Sequence, residues 1–115
     1  MAQERADRAL LQTYSSEEQI EAAKQRNLQT PLLGVKYVKK KIAIYTERLN
    51  ELRDREKSLM DQGKNVPLEL IDDIDSTLSD VARLEYDLET KQRMVDRIVD
   101  RYEADKERYR ELTKR

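Results

Sequence analysis

From Val35 onward the apolar residues recur at alternating spacings of three and four. Val35, Val38, Ile42, Tyr45, Leu49, Leu52 and Leu59 keep this rhythm, with Glu56 at the one gap. Leu70, Ile74, Val81, Leu84, Leu88, Val95, Ile98, Tyr102, Tyr109 and Leu112 share a second stripe, interrupted by Thr77, Lys91 and Asp105. Such spacing gathers apolar side chains on one side of a helix, the seam of a coiled coil. Composition agrees. Asp, Glu, Lys and Arg make up 41% of the 115 residues, too many for a thick globular core. Two Gly and two Pro leave few tight turns for an all-β fold.

Between the stripes lies Asp61-Gln62-Gly63-Lys64-Asn65-Val66-Pro67. Gly63 suits the left-handed position that ends a helix, and Pro67 suits the first turn of the next. Glu69, Asp72 and Asp73 put negative charge near that helix's positive end. Arg108, Arg110, Lys114 and Arg115 put positive charge at its far end. The first helix starts near Ser15 or Ser16, because Glu18 and Gln19 complete a capping box with either. Upstream, Arg5 to Thr13 predicts a short amphipathic helix carrying Leu10 and Leu11. Pro31 disfavours helix, and Gly34 weakens the segment further. The seam nevertheless runs back through Pro31, Leu28 and Lys24, so a kinked helix is expected.

The expected fold is all-α: a long antiparallel helical hairpin, or coiled coil, with a short N-terminal helical segment. Residues 1–14 form that segment and 15–115 the hairpin. Its first helix spans about 16–61 with a kink near Pro31, its connection 62–66, and its second helix about 67–114. So short a connection forces antiparallel packing. With Leu59 against Leu70, residue numbers in each layer sum to 129 or 130. Leu52 then meets Thr77, Leu49 meets Val81, Leu28 meets Tyr102 and Lys24 meets Asp105. The pairs Glu51–Arg55, Asp87–Lys91 and Glu89–Arg93 have the spacing of helix-surface ion pairs.

Without His or Cys, nucleophile–His pairs and the usual zinc sites are excluded. No Gly-rich phosphate loop occurs. Asp72, Asp73 and Asp75 lack the spacing of a calcium loop and are explained by the helix N-terminus. No catalytic residue, metal or cofactor is expected. The net charge of −1 speaks against nucleic acid as partner. No apolar run approaches the length of a membrane helix. Lys36, Lys39, Lys40 and Lys41, beside Tyr37 and Tyr45, form the one basic cluster. It reads as the solvated face flanking Val38 and Ile42, or as a contact to phosphate or anionic lipid. Lys36, Tyr37, Lys39 and Lys40 are the candidate partner-binding residues.

Tyr37, Tyr86, Leu33, Ile44, Leu68, Ile71, Leu78, Met94 and Val99 lie off the seam. One two-helix seam does not cover them all. Another helix is expected alongside, from the N-terminal segment or from a second copy in a homodimer.

Three stretches resemble a known family. They are Asp7-Arg8-Ala9-Leu10-Leu11-Gln12-Thr13-Tyr14-Ser15-Ser16-Glu17-Glu18-Gln19-Ile20-Glu21-Ala22-Ala23, Gln62-Gly63-Lys64-Asn65-Val66-Pro67 and Arg108-Tyr109-Arg110-Glu111-Leu112. Together they are similar to uncharacterised coiled-coil proteins of Gram-negative proteobacteria. The chain departs from that pattern at Thr30-Pro31-Leu32-Leu33-Gly34, where the family has uninterrupted helix. The resemblance implies a helical hairpin exported to the periplasm, with a leader and a small domain upstream of this chain. It brings no catalytic residues. The first residues, Met1 to Asp7, have no apolar stretch of a signal peptide, so the alternative is a cytoplasmic protein. The expected function is a non-enzymatic structural or protein-interaction module of the bacterial envelope, with an unidentified protein partner. The alternative is a cytoplasmic module that binds nucleic acid or anionic membrane through Lys36–Lys41.

Overall fold

The computed structural model describes Met1 to Lys114. Arg115, one of the four cations assigned to the end of the last helix, lies outside the described residues. The chain is all-α. Helix α1 spans Ala2–Thr13, α2 spans Glu17–Asp61 and α3 spans Leu68–Thr113. The two long helices form the antiparallel hairpin that the seam spacing predicts. Every seam position from Val35 to Leu59 and from Leu70 to Leu112 is buried or half-buried, including the interruptions. The chain divides into two compact units. One comprises Met1–Leu33 and the stretch from Gln92 onward, the other Gly34–Lys91.

In the first unit, Ile20, Ala23, Tyr102 and Tyr109 form the core, with Leu10, Tyr14 and Ile98 packed against it. Ile20 has no exposed surface. Burying such a side chain contributes about 1.5–3 kcal/mol. Asn27 donates to the Tyr102 hydroxyl, so the polar tip of a buried ring is satisfied. That bond sets Tyr102 level with Asn27, the residue before the Leu28 expected opposite it.

Helix α1 starts at Ala2, earlier than the expected Arg5. Leu10 packs inward, but Leu11 is 44% exposed and takes no part in the core. Ser16 caps α2: its Oγ accepts the Gln19 N–H at 3.2 Å, while Gln19 Oε1 accepts the Ser15 N–H at 2.8 Å. The capping exchange therefore uses Gln19, and Ser15 contributes only its backbone.

In the second unit, Leu49, Leu52, Leu70 and Ile74 form the core, flanked by Leu59 and Val66. Thr77 is buried in the seam, where its hydroxyl donates to the Asp73 carbonyl at 2.7 Å. Lys91 is half-buried. Its stem runs past Gly34, where an added Cβ would stand 3.6 Å from Lys91 Cε, and its Nζ reaches Asp87 at 2.7 Å. The expected pair Glu51–Arg55 does not form among the described residues.

The connection is closed by backbone bonds. Lys64 N–H donates to the Leu59 carbonyl at 2.9 Å and Gly63 N–H to the Met60 carbonyl at 3.0 Å, a Schellman ending with Gly63 at φ 67°. The Pro67 carbonyl accepts from Leu70 and Ile71. Pro67 thus occupies the N-cap, one position before the first turn expected of it. An Ala at position 63 would meet no atom within 4 Å, so its cost is backbone strain alone. Gly63→Ala should lower stability by about 1 kcal/mol in a denaturant titration.

Helix α2 runs through Pro31 without interruption. The ring removes the N–H that the Asn27 carbonyl would accept, and the helix absorbs that loss. Pro31→Ala should raise stability by up to about 3 kcal/mol while far-UV circular dichroism stays unchanged. A large gain in helicity would mean that α2 is broken at Pro31 in solution.

Candidate interaction surfaces

An ion-pair network in the first unit holds α1 and the start of α2 against α3. Arg108 binds Asp7 in fork geometry, Nε at 2.9 Å and Nη2 at 2.7 Å, and reaches Glu111 with Nη1 at 2.9 Å. Arg110 binds Glu17 at 2.6 Å. Lys24 bridges Glu103 at 2.6 Å and Glu21 at 2.8 Å, and Lys106 reaches Glu21 at 3.2 Å. Lys24 therefore pairs with Glu103, not with the expected Asp105. Its side chain lies across the seam and its charge exits on the flank where Glu21, Glu103 and Lys106 gather. The sequence pattern placed Lys24 in a layer but did not show which flank its long stem would leave by.

The electrostatic consequences follow these contacts. The Arg108 guanidinium holds the Asp7 carboxyl below the usual range, Arg110 does the same for Glu17, and Lys24 for Glu103. Glu21 accepts from Lys24, Gln25 and Lys106 and is held down from 4.5 to about 2. The Lys24 ammonium is raised by Glu103 and then Glu21, and Arg108 by Asp7 and then Glu111. Beside this network, Gln3, Asp7 and Leu10 of α1 and Arg101, Asp105 and Arg108 of α3 line an open hollow of about 580 Å³. Asp7 and Arg108, two of its charged groups, are already paired with each other.

Helix periodicity sorts the second unit into two flanks. Residues that precede a seam residue lie on one side of the seam, and those that follow lie on the other. Tyr37 precedes Val38, and the Lys41 ammonium, preceding Ile42, sits 5.3 Å from its ring centroid. Lys36 and Lys39 follow seam residues and lie on the opposite flank, and Lys40 points away from the seam. All four candidate residues are exposed, Tyr37 at 61%. They spread over roughly 160° of α2, counted at 100° per residue, and do not converge on one point.

The structure also leaves Ile44, Leu68, Ile71, Leu78 and Tyr86 exposed in this unit, and Leu33 and Met94 in the other. Val99, grouped with them in the sequence reading, is half-buried in the first unit. Tyr14 lies outside both heptad stripes and carries no role that their spacing marks. Its ring packs against the first core and its N–H closes α1 on the Leu10 carbonyl at 3.1 Å. Its signal was its place between the α1 apolar residues and the Ser15-Ser16 cap.

The network predicts acid sensitivity in the first unit. Depressed carboxylates stabilise fully above their ordinary pKa values, and that stabilisation is lost as pH falls through the folded values. The raised cations lose theirs only as pH rises, above 10.5 for Lys24, and play no part at acid pH. The protection factors of amides in α1 and at the start of α2, measured against the intrinsic exchange rate at each pH, should therefore fall between pH 4.5 and about 2. Glu21→Gln should flatten that dependence at the start of α2, where Glu21 pairs with Lys24 and Lys106. Unchanged α1 protection across the window would mean that the ion pairs do not hold the helix. No protein-family model, no curated protein and no solved structure matches the chain.

Proposed function

We propose that the protein is a non-enzymatic coiled-coil module that binds other proteins, including a second copy of itself, in the bacterial envelope. The observation that carries this reading is the exposed apolar set on a helix pair whose seam is already filled. Tyr37 at 61%, Ile44 at 62%, Leu68 at 72% and Tyr86 at 72% exposure lie outside both cores, with Tyr37 meeting Lys41 on its own helix. Side chains of this kind, set among charges, belong to surfaces that meet another protein. The periplasmic location rests on the resemblance of the Asp7–Ala23 run, the Gln62–Pro67 connection and the Arg108–Leu112 stretch to exported coiled-coil proteins. No helix among the described residues is long and apolar enough to cross a membrane.

A second reading draws on exposed Lys36, Lys39 and Lys40: a cytoplasmic module that contacts nucleic acid or anionic lipid. Against it stand the near-neutral net charge and the engagement of Lys41 with the Tyr37 ring.

Crosslinking capture from periplasmic and cytoplasmic fractions separates the readings. A protein recovered from the periplasmic fraction supports the first. The triple variant Lys36→Glu, Lys39→Glu, Lys40→Glu should keep its helicity and recover at least about tenfold less partner, on the scale of a few exposed charge contacts. Unchanged recovery would remove the Lys36–Lys40 stretch from the binding surface. Salt-sensitive binding to DNA or to anionic vesicles would favour the second reading. Turnover of any substrate, abolished by one carboxylate substitution, would overturn both.

A further inference from the structure

The unit Gly34–Lys91 is a two-helix layer with two faces. One face is identified directly: Arg48 of α2 and Asp73, Ser76 and Asp80 of α3 line a single hollow of about 150 Å³. Each of these residues precedes a seam residue. The preceding flanks of both helices therefore share one face, and the following flanks share the other. That second face carries Lys39 and Arg53 from α2, and Ile71, Asp75, Leu78 and Glu85 from α3. All six are exposed, and none of the four charged ones is ion-paired among the described residues.

The α2 half of this face is thus basic, and the α3 half is acidic with two apolar side chains. Lying side by side, the two halves make the face complementary to itself. We propose that a second copy of the chain docks on this face about a two-fold axis parallel to the helices, α2 over α3. The inference rests on the reading of the protein as a self-associating interaction module. Charge selects the axis. A two-fold axis across the layer would stack α2 on α2 and α3 on α3, setting like charges together. The parallel axis sets basic on acidic. By the layer register expected from the seam, paired residue numbers in one copy sum to 129 or 130, so Arg53 of one copy comes within about one helical rise, ~1.5 Å, of the level of Asp75 of the other, twice per dimer. Ile71 and Leu78 lose their solvent contact to the α2 helix laid over them.

Sedimentation equilibrium of the full chain tests this. The wild type should be a dimer at micromolar concentration and dissociate more readily as salt rises. Leu78→Asp should give a monomer of unchanged helicity. Arg53→Glu and Asp75→Arg should each weaken the dimer by about tenfold, because each reversal turns two attractive contacts repulsive. The double variant Arg53→Glu, Asp75→Arg should recover wild-type affinity within about threefold. A wild-type monomer at several hundred micromolar would overturn the proposal, as would full dimerisation of a folded Leu78→Asp. A double variant no tighter than the singles would overturn the parallel two-fold. Capture of a different protein by a chain that sediments as a monomer would overturn self-association and leave the interaction-module reading standing.

Discussion

The structure depends on one repeated contact, the seam in which α2 and α3 bury a stripe of side chains against each other. So charged a chain has little else to bury. Its largest cores are four-residue clusters with a few half-buried neighbours. At such widths each seam position matters, and the interruptions show how the seam tolerates polar groups. Thr77 returns its hydroxyl to the Asp73 carbonyl one turn earlier. Lys91 lays its stem past Gly34 and carries its charge out to Asp87. In each case the polar atom is satisfied or solvated, so burial of the rest carries little penalty.

Around this seam the two units meet the same shortage of apolar cover differently. The first recruits α1. That helix has no buried residue of its own and is too short to be stable alone in water. It is held by Leu10 and by the Asp7–Arg108 fork, with Tyr14 completing the contact at its end. The second unit keeps only α2 and α3 and leaves Tyr37, Ile44 and Leu68 in solvent. The basic residues of its α2 and the acidic residues of its α3 flank these side chains and bias what can approach them.

Much of this was legible because heptad spacing and turn chemistry are local. The hairpin, the role of Gly63, the buried seam and the exposure of Tyr37 follow from residues a few positions apart. What was not legible depended on the third dimension. Lys24 was assigned to a layer, but its choice of Glu103 over Asp105 depends on which flank a flexible stem leaves by. Leu10 and Leu11 are equally apolar, and only the placement of α1 on the core decides that one turns inward. Val99 counted as off the seam by strict heptad phase. A straight helix drifts by about 20° per heptad against a 3.5-residue repeat, enough over several heptads to bring such a residue partly under cover. The candidate binding residues were legible as a basic cluster. Their spread around α2 is a matter of angle, which sequence proximity conceals.

Pro31 is the sharpest conflict between local preference and tertiary demand. Proline in a helix interior loses a hydrogen bond and clashes with the preceding turn, at a cost of about 3 kcal/mol. Yet α2 passes through it, with Leu28 buried before it at 5% exposure and Val35 after it at 9%. Ending the helix there would shift the phase of everything upstream. Ile20 and Ala23 would leave the first core, and Lys24 would lose Glu103. Burial of one residue such as Ile20 offsets most of the proline's cost, and the ion pairs add to it. The helix therefore continues because both flanking stretches of seam are filled, and the local penalty is absorbed by packing on either side. Gly34, a poor helix former three residues on, is carried by the same packing; an added Cβ there would meet the Lys91 stem at an ordinary 3.6 Å, so the crossing does not itself require glycine.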